Sequence, residues 1–170
     1  KVHEIAAEYF REQLAAPAGG RARAQLAERG VTAQTVEQLG LGFAPNSRDG
    51  LKARLLKQGF NQALLLQSGL LAQRDNGEQV DRFRNRLMFP IHNETGKVNG
   101  FGGRALAADD EPKYLNSPET PIYKKSYVLY NLHRAKDGVR KLGRVVLVEG
   151  YMDVIGVFCS GVKEVVATCG

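Results

Sequence analysis

The sequence predicts an α+β fold, in which a helix-rich amino-terminal part leads into a basic β region and then into a strand–helix–strand unit. Three observations support this prediction. Apolar residues recur at helical spacing through residues 1–75, they alternate with polar residues in the region 76–125, and two unbroken apolar runs flank a helical segment near the end. We therefore expect an amino-terminal subdomain over 1–125 and the start of an α/β subdomain over 126–170.

The composition describes a soluble globular protein, with 43% hydrophobic and 25% charged residues among 170. No apolar run approaches the roughly 20 residues of a membrane-spanning helix. The net charge is +6, and residues 82–144 alone hold 13 basic and 6 acidic side chains, a net charge of +7. This concentration of positive charge favours an anionic partner such as a nucleic acid, although a solvated basic face would produce the same excess.

The first 75 residues are predicted to form short helices that pack together. The first helix spans residues 1–16 and ends before Pro17, and a second spans residues 21–29. Thr32 has the position of an N-cap for a third helix that ends at Gly40. The stretch "LGFAPNSRDG" is predicted to be a loop, and "LKARLLKQG" and "NQALLLQSG" are predicted to be helices.

The basic β region begins after the turn sequence "DNG". Apolar residues alternate through "FRNRLMFPI", and the turn "NETGK" predicts a hairpin to a second strand containing Val98 and Phe101. Arg82, Arg84 and Arg86 are spaced by two residues, so on a strand all three would point to one face. Such a face would either hold an anion or be simply solvated.

The segment "EPKYLNSPETPIYKKS" is predicted to be an ordered but irregular loop. Its lysines Lys113 and Lys125 alternate with the aromatic residues Tyr114 and Tyr123. Cations interleaved with aromatic rings suit a single-stranded nucleic acid or a nucleotide, and an ordinary surface loop remains the alternative. The stretch "LYNLHRAKDGVRK" that follows is predicted to be a helix.

The end of the sequence, "RVVLVE", "GYMDVIGVFCSG" and "KEVVATCG", predicts a strand, a helix and a second, parallel strand. Both strands lack alternation, which predicts that they are buried on both faces. Glu149 stands at the carboxyl end of the first strand, where α/β sheets bind their ligands, and this position favours a functional role. Asp153 lies in the first turn of the helix, where an acid also stabilises the helix dipole.

Four stretches, "RFRNRLMFPI", "GKVNGFGGRAL", "PKYLNSPET" and "VVLVEGYMDVI", occur in the order in which they appear in bacterial replicative primases of the DnaG type, which this chain resembles from about residue 21 onward. The resemblance implies a nucleotidyltransferase, a DNA-directed RNA polymerase that makes short RNA primers on single-stranded template DNA. It further implies the amino-terminal subdomain of the polymerase core followed by a partial toprim subdomain. A zinc-binding domain and a helicase-binding domain are implied outside this chain.

The resemblance assigns catalytic roles to Glu149 and Asp153, with Glu149 as a metal ligand. The metal would be Mg²⁺ or Mn²⁺, held together with an Asp-x-Asp pair expected after Gly170, so the fragment alone is expected to be inactive. Zn²⁺ is expected only in the absent amino-terminal domain. The arginine and lysine roles implied are nucleotide binding for Lys113, Lys125, Arg84 and Arg86, and DNA binding for Arg29, Arg104, Lys113 and Lys125.

The partners implied are single-stranded template DNA, nucleoside triphosphates, the RNA primer and the replicative helicase, for a monomeric protein in the bacterial cytoplasm at the replisome and nucleoid. Two other functions stay open at this point. One is a non-enzymatic module that binds single-stranded DNA. The other is a different toprim enzyme, of the topoisomerase or nuclease type, which the stretch "PKYLNSPET" and the preceding hairpin disfavour.

Overall fold

The computed structural model describes residues 1–169 and has the predicted α+β fold. None of the helices in this range is long and apolar enough to cross a membrane. The helices are α1 Val2–Ala15, α2 Gly20–Glu28, α3 Ala33–Leu39, α4 Gly50–Lys57, α5 Gln62–Gln67, α6 Leu132–Leu142 and α7 Tyr151–Cys159. The strands are β1 Gly42–Ala44, β2 Leu71–Gln73, β3 Gln79–Asp81, β4 Arg86–His92, β5 Val98–Ala105, β6 Tyr114–Asn116, β7 Leu129–Tyr130, β8 Val146–Val148 and β9 Val165–Thr168.

The amino-terminal helices begin and end where their capping residues predict. The side chain of Thr32 accepts a hydrogen bond from the amide of Thr35 (3.2 Å), which caps α3, and Gly40 ends that helix in the left-handed conformation. Asn61 caps α5 in the same way, by accepting from the amide of Leu64 (2.8 Å). The predicted helices are therefore confirmed in this region.

The main sheet is antiparallel and has the strand order β1-β4-β5-β6. The predicted hairpin joins β4 to β5, and in its turn the side chain of Asn93 accepts from the amides of Thr95 and Lys97, both at 3.0 Å. Gly96 has a positive φ of 82°, which a glycine adopts without strain. The hairpin prediction is confirmed.

Two predictions for the amino-terminal part were wrong. The predicted loop "LGFAPNSRDG" contains β1, which pairs with the distant strand β4, and residues 71–73 of the part predicted to be helical form β2, which pairs with β3. Strand β1 is stabilised by a partner far along the sequence, whereas β2 and β3 form a short hairpin across residues 74–78. Phe43, for example, is buried in the core as part of β1, although its neighbours in sequence are typical of a turn.

The second sheet has the order β7-β9-β8, with β8 and β9 parallel and connected through α7, as the sequence predicts. The prediction that β8 is buried on both faces was wrong. Leu147 is 63% exposed, and Val145, just before the strand, is 52% exposed. The reason is that β8 is an edge strand, and within residues 1–169 one face of it is left uncovered.

The core extends across both parts of the chain. Its larger cluster packs Leu26 and Leu39 from the amino-terminal helices together with Ile155 of α7 and Val165 of β9. The ring of Tyr151 at the start of α7 stacks on Phe89 of the main sheet, with ring centroids 4.8 Å apart and planes 3° from parallel. This packing holds the second sheet against the first and so determines where its carboxyl edge lies.

Candidate nucleic-acid interface

The first basic cavity lies between the end of α2 and the segment that joins β5 to β6, and its volume is about 480 Å³. Three cations with a predicted role in DNA binding line it: Arg29 at the end of α2, Arg104 in β5 and Lys113 just before β6. Arg29 is distant in sequence from the other two, and only the fold brings it to Arg104 and Lys113. The same lining includes the acidic residues Glu28, Asp110 and Glu111.

Arg104 also contacts an aromatic ring beside this cavity. Its Nε donates to the hydroxyl of Tyr114 (3.2 Å), and its Cζ lies 5.9 Å from the centroid of that ring. Tyr114 is 39% exposed, so one surface of the site offers a guanidinium and a phenol ring side by side. Phosphates and bases of a single strand are bound by groups of these two kinds.

The second basic cavity, of about 400 Å³, is lined by Arg82, Arg84 and Arg86. All three arginines line one cavity, but the prediction that they point to one face of a single strand was wrong. Strand β4 begins only at Arg86, and Asn85 before it has a positive φ of 51°, so the chain turns between the arginines. The side chain of Asn85 donates to Asp110 (3.0 Å), and this contact stabilises the turn.

The three arginines have different surroundings. Arg86 is buried, and its Nη1 donates to the carbonyls of Gly103 (3.5 Å) and Lys113 (3.4 Å). Arg82 donates through Nε and Nη2 to the carbonyl of Asn116, at 3.2 and 2.9 Å. Burial lowers the pKa of both guanidiniums. Within residues 1–169, Arg84 makes no hydrogen bond or ion pair, so all of its donors are available in this cavity.

Glu149 follows β8 directly and is exposed, and no side chain or amide among residues 1–169 pairs with its carboxylate. Asp153 is the third residue of α7, and its Oδ2 accepts from the amide of Gly150 (3.1 Å). Asp153 therefore caps the helix, as an acid in the first turn is expected to do. The two acids lie close together in sequence at the carboxyl edge of the second sheet.

Lys125 lies at that same edge. It begins a 3-10 turn, Lys125–Tyr127, that leads into β7, and β7 starts opposite Thr168 at the end of β9. Since β7 is antiparallel to β9, the residues before it lie beyond the carboxyl end of β9, and β9 alone separates β7 from β8, the strand that Glu149 follows. The fold thus brings Lys125 and Glu149 to one side of the sheet.

The aromatic residues of the loop do not all behave as the sequence suggested. Tyr123 is fully buried, with its ring against Gly100, so it is a core residue and the expectation that it offers a stacking surface was wrong. Tyr127, which was not among the predicted site residues, is 82% exposed, with the amine of Lys124 5.9 Å from its ring centroid. Tyr127 closely follows Lys124 and Lys125 in the sequence, and this pattern of cations beside an aromatic residue could have identified it as a candidate.

The carboxyl edge of the second sheet, with Glu149 and Asp153, is called the acidic edge below. Its carboxylate oxygens are ligands of the type that Mg²⁺ and Mn²⁺ prefer. Within residues 1–169, however, no group of three or more His, Cys, Asp or Glu side chains is placed to hold a metal ion. Glu149 is available, whereas one oxygen of Asp153 already accepts a hydrogen bond from Gly150. The residues present therefore fit a divalent cation in chemistry and supply only part of a ligand set.

Cation-lined cavities on an antiparallel sheet, beside an acidic strand edge, are typical of α+β proteins that bind nucleic acids or nucleotides. Comparison with protein families gives the particular class. Residues 9–136 match the family described as the DNA primase catalytic core, N-terminal domain. The chain belongs to this family of bacterial, DnaG-type primases.

Individual relatives agree with this assignment. The DNA primase of Streptomyces coelicolor is 46% identical over 172 residues, which cover 100% of this chain and 27% of that protein. The RNA polymerase domain of Mycobacterium tuberculosis primase DnaG, in complex with a double-stranded DNA oligomer with a 6-nucleotide overhang, superposes with a TM-score of 0.93 at 40% identity, covering 99% of this chain and 53% of that one. A DnaG primase catalytic domain bound to ssDNA gives 0.90 at 38% identity, covering 99% and 54%.

Proposed function

We propose that this chain is part of a DNA primase, in which it binds the template and the incoming nucleotides for the synthesis of short RNA primers on single-stranded DNA. The observation that carries the proposal is the convergence of Arg29, Arg104 and Lys113 on one cavity. Two similar structures, one bound to ssDNA and one to a DNA duplex with an overhang, support it. The chain spans 27% of the length of the Streptomyces coelicolor relative, so the activity is proposed for the whole protein.

The template is proposed to run over the first basic cavity. Arg29, Arg104 and Lys113 contact backbone phosphates, and Tyr114 beside Arg104 offers a ring on which a base stacks. Phosphate contacts release counterions, so the affinity depends strongly on salt and weakly on sequence. Both properties suit an enzyme that must use many different templates.

The incoming nucleoside triphosphate is proposed to lie between the second basic cavity and the acidic edge, where Lys113 and Lys125 also contact it. Arg84 supplies unused donors to the phosphates. Arg86, whose guanidinium already donates to two carbonyls, adds its positive charge from beneath the cavity. Cations placed in this way neutralise the charge that develops on the transferred phosphate and the leaving pyrophosphate.

Glu149 is proposed to be a metal ligand at the acidic edge, with Asp153 contributing to the same negative site. A bound Mg²⁺ or Mn²⁺ would activate the attacking 3′-hydroxyl and stabilise the leaving group. The remaining ligands, a zinc-binding domain and a helicase-binding domain are proposed to belong to other parts of the whole protein. We further propose that this protein is a monomer that acts at the replisome in the bacterial cytoplasm.

Template binding is tested by titrating a labelled single strand with the full-length protein at low and high salt. Arg104→Ala is compared with Arg140→Ala, which removes an equal charge from an exposed position of α6. We expect Arg104→Ala to weaken binding and to reduce the salt slope by roughly 0.7 for each phosphate that the variant no longer binds. Equal behaviour of the two variants would contradict the placement of the template.

The enzymatic part is tested by primer synthesis with full-length wild type and Glu149→Gln. The substitution preserves the shape of the side chain and removes the negative charge that binds a cation. We expect synthesis to be abolished while binding of the single strand is retained. Undiminished synthesis by Glu149→Gln would refute the metal role, and a wild type that binds but never synthesises would favour a non-enzymatic binding module.

A further inference from the structure

Asn116, at the end of β6, connects the basic sheet to the acidic edge. Its Oδ1 accepts a hydrogen bond from the hydroxyl of Tyr151 (2.7 Å), and its Nδ2 donates to the carbonyl of Cys169 (2.7 Å). Tyr151 is two residues beyond Glu149, and Cys169 comes directly after β9. One amide side chain therefore contacts the chain just after the carboxyl ends of both parallel strands.

The backbone of Asn116 belongs to the basic side of the site. The residue pairs with Gly102 in β5, and its carbonyl accepts hydrogen bonds from Nε and Nη2 of Arg82, at 3.2 and 2.9 Å. Arg82 lines the second basic cavity. Asn116 is thus fixed by its backbone to the main sheet and by its side chain to the second sheet.

From these contacts we propose that Asn116 is a positioning residue. It fixes the position of the loop between β8 and α7, residues 149–150, relative to the arginines of the second basic cavity. The inference rests on the proposed primase function of that site. Phosphoryl transfer requires the attacking and leaving groups to be aligned closely, and displacements on the order of 1 Å lower rates by roughly a hundredfold. Asn116 acts on this alignment through Tyr151, without touching the reacting atoms.

The chemistry of Tyr151 suits this role. Its ring is held by stacking on Phe89 and by edge contact with Tyr130, whose centroid is 4.9 Å away. The ring is therefore rigid, and the hydrogen bond to Asn116 determines which neighbour its polar end contacts.

The test uses the full-length protein with Asn116→Ala, Tyr151→Phe and the double variant. Because the backbone of β6 remains, Asn116→Ala keeps the sheet, and Tyr151→Phe keeps the packed ring. We expect Tyr151→Phe to lower kcat for primer synthesis roughly three- to tenfold, the net worth of one hydrogen bond, and Asn116→Ala, which also loses the bond to Cys169, to lower it at least as much. The double variant should have a kcat no lower than that of the worse single variant, because both changes remove the same hydrogen bond.

The control is Asn99→Ala, which removes another buried asparagine of the main sheet. Asn99 donates to the carbonyl of Ile122 (3.0 Å) and has no contact with the acidic edge. It should lower the melting temperature with kcat unchanged. KM for the nucleotide and the dissociation constant for single-stranded DNA should stay within about twofold in all variants, because no side chain that binds them is altered.

A readout independent of activity is amide hydrogen exchange of residues 149–153, which should become faster in Asn116→Ala and not in Asn99→Ala. Unchanged kcat and exchange in Asn116→Ala would overturn the inference, as would reductions in kcat that multiply in the double variant. If wild type makes no primer, the proposed function fails. Faster exchange would then still support the positioning role of Asn116, and unchanged exchange would overturn it.

Discussion

The ring of Tyr151 lies in the space that a side chain on Gly102 would fill. A Cβ on Gly102 would be 2.4 Å from Cζ and 2.6 Å from the hydroxyl oxygen of Tyr151, far inside van der Waals contact. The glycines of "GFGGR" therefore let aromatic and arginine side chains approach the strand: Gly100 faces Tyr123, and Gly103 faces Arg86. Of these glycines, Gly102 is the one that allows α7, and with it the second sheet, to pack closely on the first.

Gly102→Ala is expected to lower the free energy of unfolding by about 1–3 kcal/mol, since the added methyl displaces a buried, stacked ring. Urea denaturation measures the change. The matched control is Gly156→Ala in α7, where no atom lies within 4 Å of the new methyl, and where alanine should stabilise the helix by about 0.5–1 kcal/mol. Changes of the same sign at both positions would contradict this account of Gly102.

A second prediction concerns the stacked rings of His92 in β4 and His133 in α6, whose centroids are 3.9 Å apart. Burial, followed by the charges of neighbouring cations, lowers the pKa of His92 to about 3 and that of His133 to about 4. The unfolded chain therefore binds more protons than the folded chain between pH 6.5 and these values. Stability should fall as the pH is lowered through this window, by up to several kcal/mol.

The titration of Asp81 changes stability in the opposite direction, so its effect has to be distinguished from that of the histidines. It accepts hydrogen bonds from the amides of Leu51 and Lys52, yet burial raises its pKa to about 6, so stability falls as the pH rises from 3.8 to 6. Denaturation at several pH values is therefore compared between wild type and His133→Phe, which preserves a stacked ring. The variant should be destabilised less by acidification, and an identical pH profile would exclude a role for His133.

The predictable part of the fold is the part encoded by local pattern. Helix α3 follows from Thr32 and Gly40 at its ends, and the β4–β5 hairpin follows from alternation around the turn "NETGK". Strands β1 and β2 are three residues long, too short for a period to show. Strand β1 forms because the distant β4 lies beside it, and β2 pairs with β3 across the turn that contains "DNG". Exposure of β8 likewise depends on its place at the sheet edge.

The candidate site shows the same limit. The motif resemblance singled out Arg29, Arg104 and Lys113 for DNA binding, which stays a prediction, and the fold places the three side chains on one cavity. The contacts of Asn116 with Tyr151 and Cys169 had no signal in the sequence, because they arise only when three distant segments meet. Spacing alone also made Arg84 and Arg86 look equivalent, since it carries no information about the turn at Asn85 between them.

The third prediction separates those two arginines. Arg86→Ala removes a buried guanidinium from two carbonyls and leaves a gap beside Gly103, so it should lower the free energy of unfolding by about 1–3 kcal/mol. Arg84→Ala, at a position without such contacts, should change stability by less than about 0.5 kcal/mol. It should instead weaken binding of a nucleoside triphosphate about tenfold, as expected for one charge-assisted hydrogen bond.

Urea denaturation and titration with a fluorescent nucleoside triphosphate, both on the full-length protein, check the two expectations together. Arg84→Lys serves as a further control, because it keeps the charge and removes the planar set of donors, and it should recover part of the affinity. If Arg84→Ala destabilised the fold as much as Arg86→Ala, or bound the triphosphate as wild type does, the separation of a binding arginine from a structural one would be wrong. The two side chains line one cavity, so only this pair of measurements distinguishes what each contributes to it.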